Sequence, residues 1–218
     1  MIHYLKLIAC LVVIDLNAQT FTGEVLYQVI LNPLKQEVND TARHLYAQNG
    51  DYIISTVSNP NVTSVYKAAD GALYAIDSIS SIVTVINTET DFESTIGFKP
   101  TVHLLDSVYC REGREWNIVE VQWKGGQYLY FYDPDILKVE AELFKRHNFD
   151  QFYEFLKISG SLPTRIDKSV KGMGKVSLEI IEFKKYSSGP SGFQVPKLKT
   201  IPGLTSFYPN KKLYKIDE

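Results

Sequence analysis

The chain has 218 residues, 23 Lys and Arg against 25 Asp and Glu, a formal net charge of −2 and a 12% aromatic fraction dominated by Tyr and Phe. Near-neutrality removes the electrostatic case for nucleic acid or an anionic membrane surface as a partner. The aromatic content excludes a disordered chain and favours strands, and the length supports one substantial core but is short for two.

The first element in chain order is an export signal. Lys6 and the α-amino group supply positive charge, Leu7 to Ile14 form an unbroken apolar run, and Ala18 places a small residue before Gln19. A signal peptidase reads that order, so residues 1–18 are expected to be a cleaved signal peptide. A membrane-spanning helix needs roughly 20 apolar residues, more than this run offers. Leu7-Ile8-Ala9-Cys10 has the outline of a lipidation site, but Leu11 to Ile14 continue the apolar stretch past the cysteine, which argues against it. Cleavage after Ala18 leaves the net charge at −2 and leaves Cys110 without a second cysteine. An intramolecular disulfide is then impossible, and Cys110 reads as a buried small hydrophobe.

From Thr20 to about Tyr132, runs rich in β-branched and aromatic residues alternate with turn pairs. Glu24 to Leu31 reads as a strand. Leu45 to Gln48 and Asp51 to Val57 flank Asn49-Gly50, and Val62 to Lys67 and Ala72 to Asp77 flank Asp70-Gly71. Both pairs are hairpin signals, because a two-residue turn of this kind needs φ > 0 at its central residues. Ile82 to Asn87 adds a strand, and Trp116 to Trp123 and Gln127 to Tyr132 flank Gly125-Gly126. The regular spacing predicts an antiparallel meander.

The pattern changes after Asp133-Pro134-Asp135. Val139 to Arg146 is a run of helix formers, and Asn148 with Gln151 three residues on has capping-box spacing. Phe149, Phe152, Tyr153 and Leu156 fall on one helical face, with Gly160 as the stop. This helix is expected to lie across one face of the sheet. Leu162 to Val170 and Val176 to Lys185 resume the strands around Gly172-Met173-Gly174, and Phe193 to Glu218, with three prolines, reads as an edge strand and a tail. The count comes to about ten strands with one or two helices.

Patterns for chemistry are sparse. His44, His103 and His147 fit no metal-ligand spacing. His103 and Cys110 lie seven positions apart, which puts them on opposite faces of any regular strand that spans both. Gly189-Pro190-Ser191-Gly192 lacks the spacing of a nucleophile elbow. Asp133 and Asp135 beside Pro134 read as turn initiators, and Glu89, Asp91 and Glu93 as a solvated acidic loop. What remains is aromatic. Tyr128-Leu129-Tyr130-Phe131-Tyr132 is apolar or amphipathic on both faces of its strand, and Trp116 and Trp123 point to opposite faces. One side of such a strand packs as ordinary core, and the other can face an apolar groove under a helix. Trp123, Tyr128, Tyr130, Phe149 and Phe152 are the candidate lining.

The order of these elements resembles the LolA-like group of Gram-negative envelope proteins. The resemblance rests on the signal sequence, the Tyr-rich strand ending in Asp133-Pro134-Asp135 and the aromatic helix. It also rests on Leu162-Pro163-Thr164-Arg165-Ile166 and the closing Phe193-Gln194-Val195-Pro196. It spans about residues 21–196, and the extension 197–218 departs from the pattern. It implies a mainly β (β-rich α+β) fold, a strongly bent antiparallel half-barrel closed by helices. It further implies a cavity for an acyl chain, lipid or lipoprotein, and an exported, non-enzymatic protein of the periplasm or cell envelope that needs no cofactor. The alternative is an envelope protein-interaction or structural module without a ligand, docking through the lysine-rich stretch from Lys197 to Lys215.

Overall fold

Turn chemistry and alternation carry the chain through one large sheet. The computed structural model describes residues 20–32, 37–90, 99–171 and 174–203. The expected export signal with Cys10, the acidic positions Asp91 and Glu93, Gly172-Met173 and the tail beyond Gly203 lie outside the described residues.

The first half forms β1 (Gly23–Asn32), β2 (Val38–Tyr46), β3 (Tyr52–Thr56), β4 (Val62–Lys67), β5 (Ala72–Asp77) and β6 (Ile82–Asn87). The second half adds β7 (Thr101–Arg111), β8 (Arg114–Trp123), β9 (Gly126–Tyr132), β10 (Arg165–Val170), β11 (Gly174–Lys185) and β12 (Lys199–Pro202). Their order across the sheet is β12-β6-β5-β4-β3-β2-β1-β11-β10-β9-β8-β7. The sheet is curved and does not close, and every pairing is antiparallel except β12, which runs parallel to β6. The pairing of β1 with β11 joins the two meanders at the middle of the sheet.

The sheet has twelve strands against the expected ten or so: β7 is the strand that sequence reading missed, while β12 is an edge strand within Phe193–Glu218, as expected there. β7 escapes sequence reading because it is mostly exposed and its register against β8 slips between Leu104 and Val108, which breaks the alternation. Cys110 sits on this edge strand and is exposed, which corrects the expectation of a buried residue. β10 begins at Arg165 rather than Leu162, because the Leu162 N–H bonds to Leu137 O in the crossover and Pro163 has no N–H to offer a ladder.

The hairpins form at Asn49-Gly50, Asp70-Gly71 and Gly125-Gly126, but among these residues positive φ is confined to Gly50 and Gly71; Asn49, Asp70, Gly125 and Gly126 lack it, so the turns are not of the two-residue kind expected. Gly50 has φ +83 and Gly71 φ +60, and a Cβ at Gly50 would come within 2.9 Å of Leu143. Both turns thus press against the segment that crosses the sheet. Beside the first turn, the buried Asp51 carboxylate accepts from Lys67 and from the backbone N–H groups of Ala68 and Phe193. Burial opposes its charge, but these partners outweigh the desolvation and hold its pKa below 3.8. The Phe193-Gln194-Val195-Pro196 stretch is held to the sheet by this carboxylate and by Lys67, which also donates to Phe193 O at 2.7 Å.

The chain between β9 and β10 crosses the concave face. A 3-10 turn (Ala141–Phe144), a second one (Phe149–Gln151) and helix α1 (Phe152–Ser159) form this crossover. Its neck is pinned by Val139 N–H to Gly160 O at 2.9 Å and Leu162 N–H to Leu137 O at 3.0 Å. Its far end docks on the end of β6, where Thr88 O accepts from the N–H groups of Asn148 and Phe149. The predicted capping box does not form. Asn148 takes helical φ/ψ and its side chain donates to Glu89 O, so α1 starts four residues later, while Gly160 ends it in the left-handed conformation as expected.

The main core lies between the concave face and the crossover. Tyr27, Tyr46, Tyr66, Tyr130, Phe144, Phe155 and Leu156 are among its buried members. A smaller cluster of Trp116, Ile118 and Phe131 packs on the opposite face. The alternation read from Tyr128 to Tyr132 is observed, with the three tyrosines in the main core and Phe131 and Leu129 on the other side. Trp116 and Trp123 divide between the faces in the same way.

Candidate functional site

Alternation on three neighbouring strands builds one wall of a cavity. Tyr27 and Val29 on β1, Ala42, His44 and Tyr46 on β2, and Tyr52, Ile54 and Thr56 on β3 all project to the concave side and line it. Leu73, Tyr130, Ile166, Lys168 and Leu178 extend the wall, and Phe149, Asp150 and Phe152 cover it from the crossover. The cavity is partly open and has a volume of about 310 Å³, at the small end of the ~300–1,000 Å³ typical of ligand pockets.

Aromatic contacts hold this cover in place. His147 sits 4.7 Å from the Tyr66 ring and 4.9 Å from Phe152, and Phe155 stacks on Tyr130 at 4.5 Å. The polar atoms in the wall are largely engaged. Tyr27 OH donates to Pro163 O at 2.8 Å, Tyr52 OH and His147 Nε2 share a 2.6 Å hydrogen bond, and His44 Nδ1 lies 3.3 Å from Tyr46 OH. Burial pushes both imidazoles down from 6.5 to about 4, a shift that the Asp150 carboxylate only partly offsets at His147. Burial also pushes the phenols of Tyr27, Tyr46 and Tyr52 up. At neutral pH these side chains are uncharged, and the cavity presents an apolar, aromatic interior.

Lys168 and Asp150 are the charged side chains among the described lining residues, and they form an ion pair. Asp150 and the following Gln151 both take left-handed backbone conformations, with φ of 59° and 58°. Such non-glycine residues cost about 1–3 kcal/mol each and persist only when their surroundings hold them. Here Tyr130 OH donates to Asp150 O at 2.8 Å and Lys168 holds the carboxylate.

Three of the five candidate lining residues from the sequence, Tyr130, Phe149 and Phe152, border the cavity. Trp123 and Tyr128 do not. They pack on each other at 4.7 Å, and Trp123 borders an open depression beside the Lys124–Gly126 turn. The tyrosines and His44 on β1 to β3, and Lys168, were missed. Their signal was the i, i+2 rows Val25-Tyr27-Val29, Ala42-His44-Tyr46 and Tyr52-Ile54-Thr56, which read as core as easily as cavity.

The other chemistry-bearing residues are dispersed. His103 pairs with Glu120 at 2.9 Å rather than with Cys110. Asp133 accepts from the Asp135 N–H at 2.9 Å, the turn role expected of it, and Glu89 pairs with Arg146. Among the described residues, no group of three or more His, Cys, Asp or Glu side chains is placed to hold a metal ion, and no helix is long and apolar enough to cross a membrane.

No protein-family model and no curated protein matches the sequence. Solved structures similar to the chain include PNGF-II, with 11% identity and a TM-score of 0.47 over 88% of this chain and 34% of that one. The chain therefore spans about a third of that structure's length. MucB is similar at 8% identity and a TM-score of 0.41, over 83% of this chain and 60% of MucB. A LolA superfamily protein from Nitrosomonas europaea is similar at 12% identity and a TM-score of 0.37, over 82% and 88% of the two chains. The structural neighbours thus include members of the LolA superfamily, the group that the order of elements in the sequence resembles.

Proposed function

We propose that the protein is a non-enzymatic, exported component of a Gram-negative cell envelope that holds an acyl chain, a lipid or a lipidated partner in the concave cavity. The observation that carries this reading is the cavity of about 310 Å³ walled by Tyr27, Val29, Ile54, Leu73, Phe152 and Leu178, whose ionisable groups are neutral apart from one ion pair. The signal-like residues 1–18 support the compartment. Burial of each methylene contributes about 0.8 kcal/mol, so affinity should rise with chain length until the cavity is filled.

A neutral, environment-sensitive dye such as 1-aminoanthracene tests the reading without a headgroup. The wild type is expected to enhance its fluorescence saturably. Ile54→Trp, which fills the cavity from β3, is expected to weaken binding about tenfold or more, or ~1.4 kcal/mol, while circular dichroism shows the fold retained. Equal binding by the two proteins, or none by the wild type, would count against the cavity.

A further inference from the structure

Lys168 breaks the pattern of its strand. The inward positions of β10 are Ile166, Lys168 and Val170; the first and third are apolar and packed against the main core, and Lys168 stands between them. It is paired with Tyr128 on one side and Val176 on the other, so its backbone is held in the middle of the sheet. Its ammonium lies 5.2 Å from the Tyr128 ring centroid and meets the carboxylate of Asp150. The two side chains keep 25% and 18% of their surface exposed, which sets the pair where the cavity meets solvent.

The two partners are not equally fixed. The backbone of Lys168 is fixed by pairing on both sides of β10, whereas Asp150 sits on a loop turn with two successive left-handed residues, between the cavity-lining Phe149 and Phe152. A competing anion can therefore take the place of the Asp150 carboxylate by rotation of a side chain carried on a loop. Asp150 thus occupies the lysine as an internal carboxylate.

We propose that Lys168 is the headgroup site of the cavity, and that its ligand is an amphiphile whose terminal carboxylate replaces Asp150 on Lys168 while the apolar tail lies along Ile54, Leu73 and Leu178. This rests on the cavity being a binding site for apolar ligands, and it adds the class of headgroup.

The test compares cis-parinaric acid with its methyl ester, which shares the tail and lacks the charge, at pH 7.5. The wild type is expected to bind the acid about tenfold more tightly than the ester. In Lys168→Met the ratio should fall to about one with ester affinity retained, and in Asp150→Asn the acid should bind more tightly than to the wild type. Equal affinities for acid and ester in the wild type overturn the headgroup site and leave the cavity standing. So does a preference for the acid that survives in Lys168→Met, or acid binding unchanged in Asp150→Asn. Binding of neither probe by the wild type overturns both.

Discussion

Phe155→Ala is expected to lower the unfolding free energy by about 4 kcal/mol, within the ~3–5 kcal/mol range for removing a buried aromatic ring. Phe155 is fully buried where α1 meets the sheet. Its ring stacks on Tyr130 at 4.5 Å with an interplanar angle of 18°, and meets Tyr132 and Phe152, both at 6.0 Å. Truncation leaves a void that α1 cannot close, because the neck at Val139 and Leu162 and the dock at Thr88 fix the crossover at both ends. Phe152→Ala should cost clearly less, since that ring already borders open volume. Urea unfolding of the two variants measures the difference. A loss below about 1 kcal/mol for Phe155→Ala would mean that packing against α1 does not hold the crossover.

Mild acid should destabilise the protein through two histidines. His44 and His147 are both held neutral by burial, with pKa values moved from 6.5 to about 4. Above pH 6.5 the folded and unfolded chains both carry neutral imidazoles, and nothing is lost. As the pH falls from 6.5 towards 4 the unfolded chain takes up protons that the folded one refuses, so stability declines over that window. The full shift corresponds to on the order of 3 kcal/mol per histidine. His44 is only half-buried by area, but it lines the cavity, and water reaching it there would reduce its share. Asp51 acts at lower pH, because its carboxylate is held below 3.8 and its contribution is lost only as the pH falls through that range. Denaturant unfolding at pH 7.5, 6, 5 and 4 should show the decline begin below 6.5. A flat profile down to pH 4.5 would mean that the imidazoles are hydrated in the folded protein.

Local chemistry made much of the fold legible. The Asn-Gly and Asp-Gly pairs placed two hairpins, and β4, β5 and β6 have the bounds that their turn residues set. The faces of Tyr128 to Tyr132 followed from a period of two. Legibility failed where tertiary partners override local signals. Asn148 had the spacing of a cap, yet the carbonyl of Glu89, far away in sequence, takes its side chain. β7 has a broken alternation because its register slips and its edge faces solvent, and this also left Cys110 exposed.

The cavity was legible only on its aromatic side. Tyr130, Phe149 and Phe152 stood out as rings near a helix, but Trp123 and Tyr128, read from the same signal, lie along the sheet beyond it. A period of two tells which residues face inward, not whether the space they face is filled. Val25 and Tyr27 point the same way, yet of the two Tyr27 lines the cavity. Lys168, between the apolar Ile166 and Val170, was an inward position that the pattern could have flagged as out of place.

Native mass spectrometry of the protein purified from the periplasm of a Gram-negative host, followed by organic extraction, tests the central claim most directly. The cavity reading predicts a species heavier than the mature chain by the mass of an acyl-bearing molecule, which extraction removes and a cavity-filled Ile54→Trp variant does not carry. The bare chain mass for the wild type, with an empty extract, would contradict it.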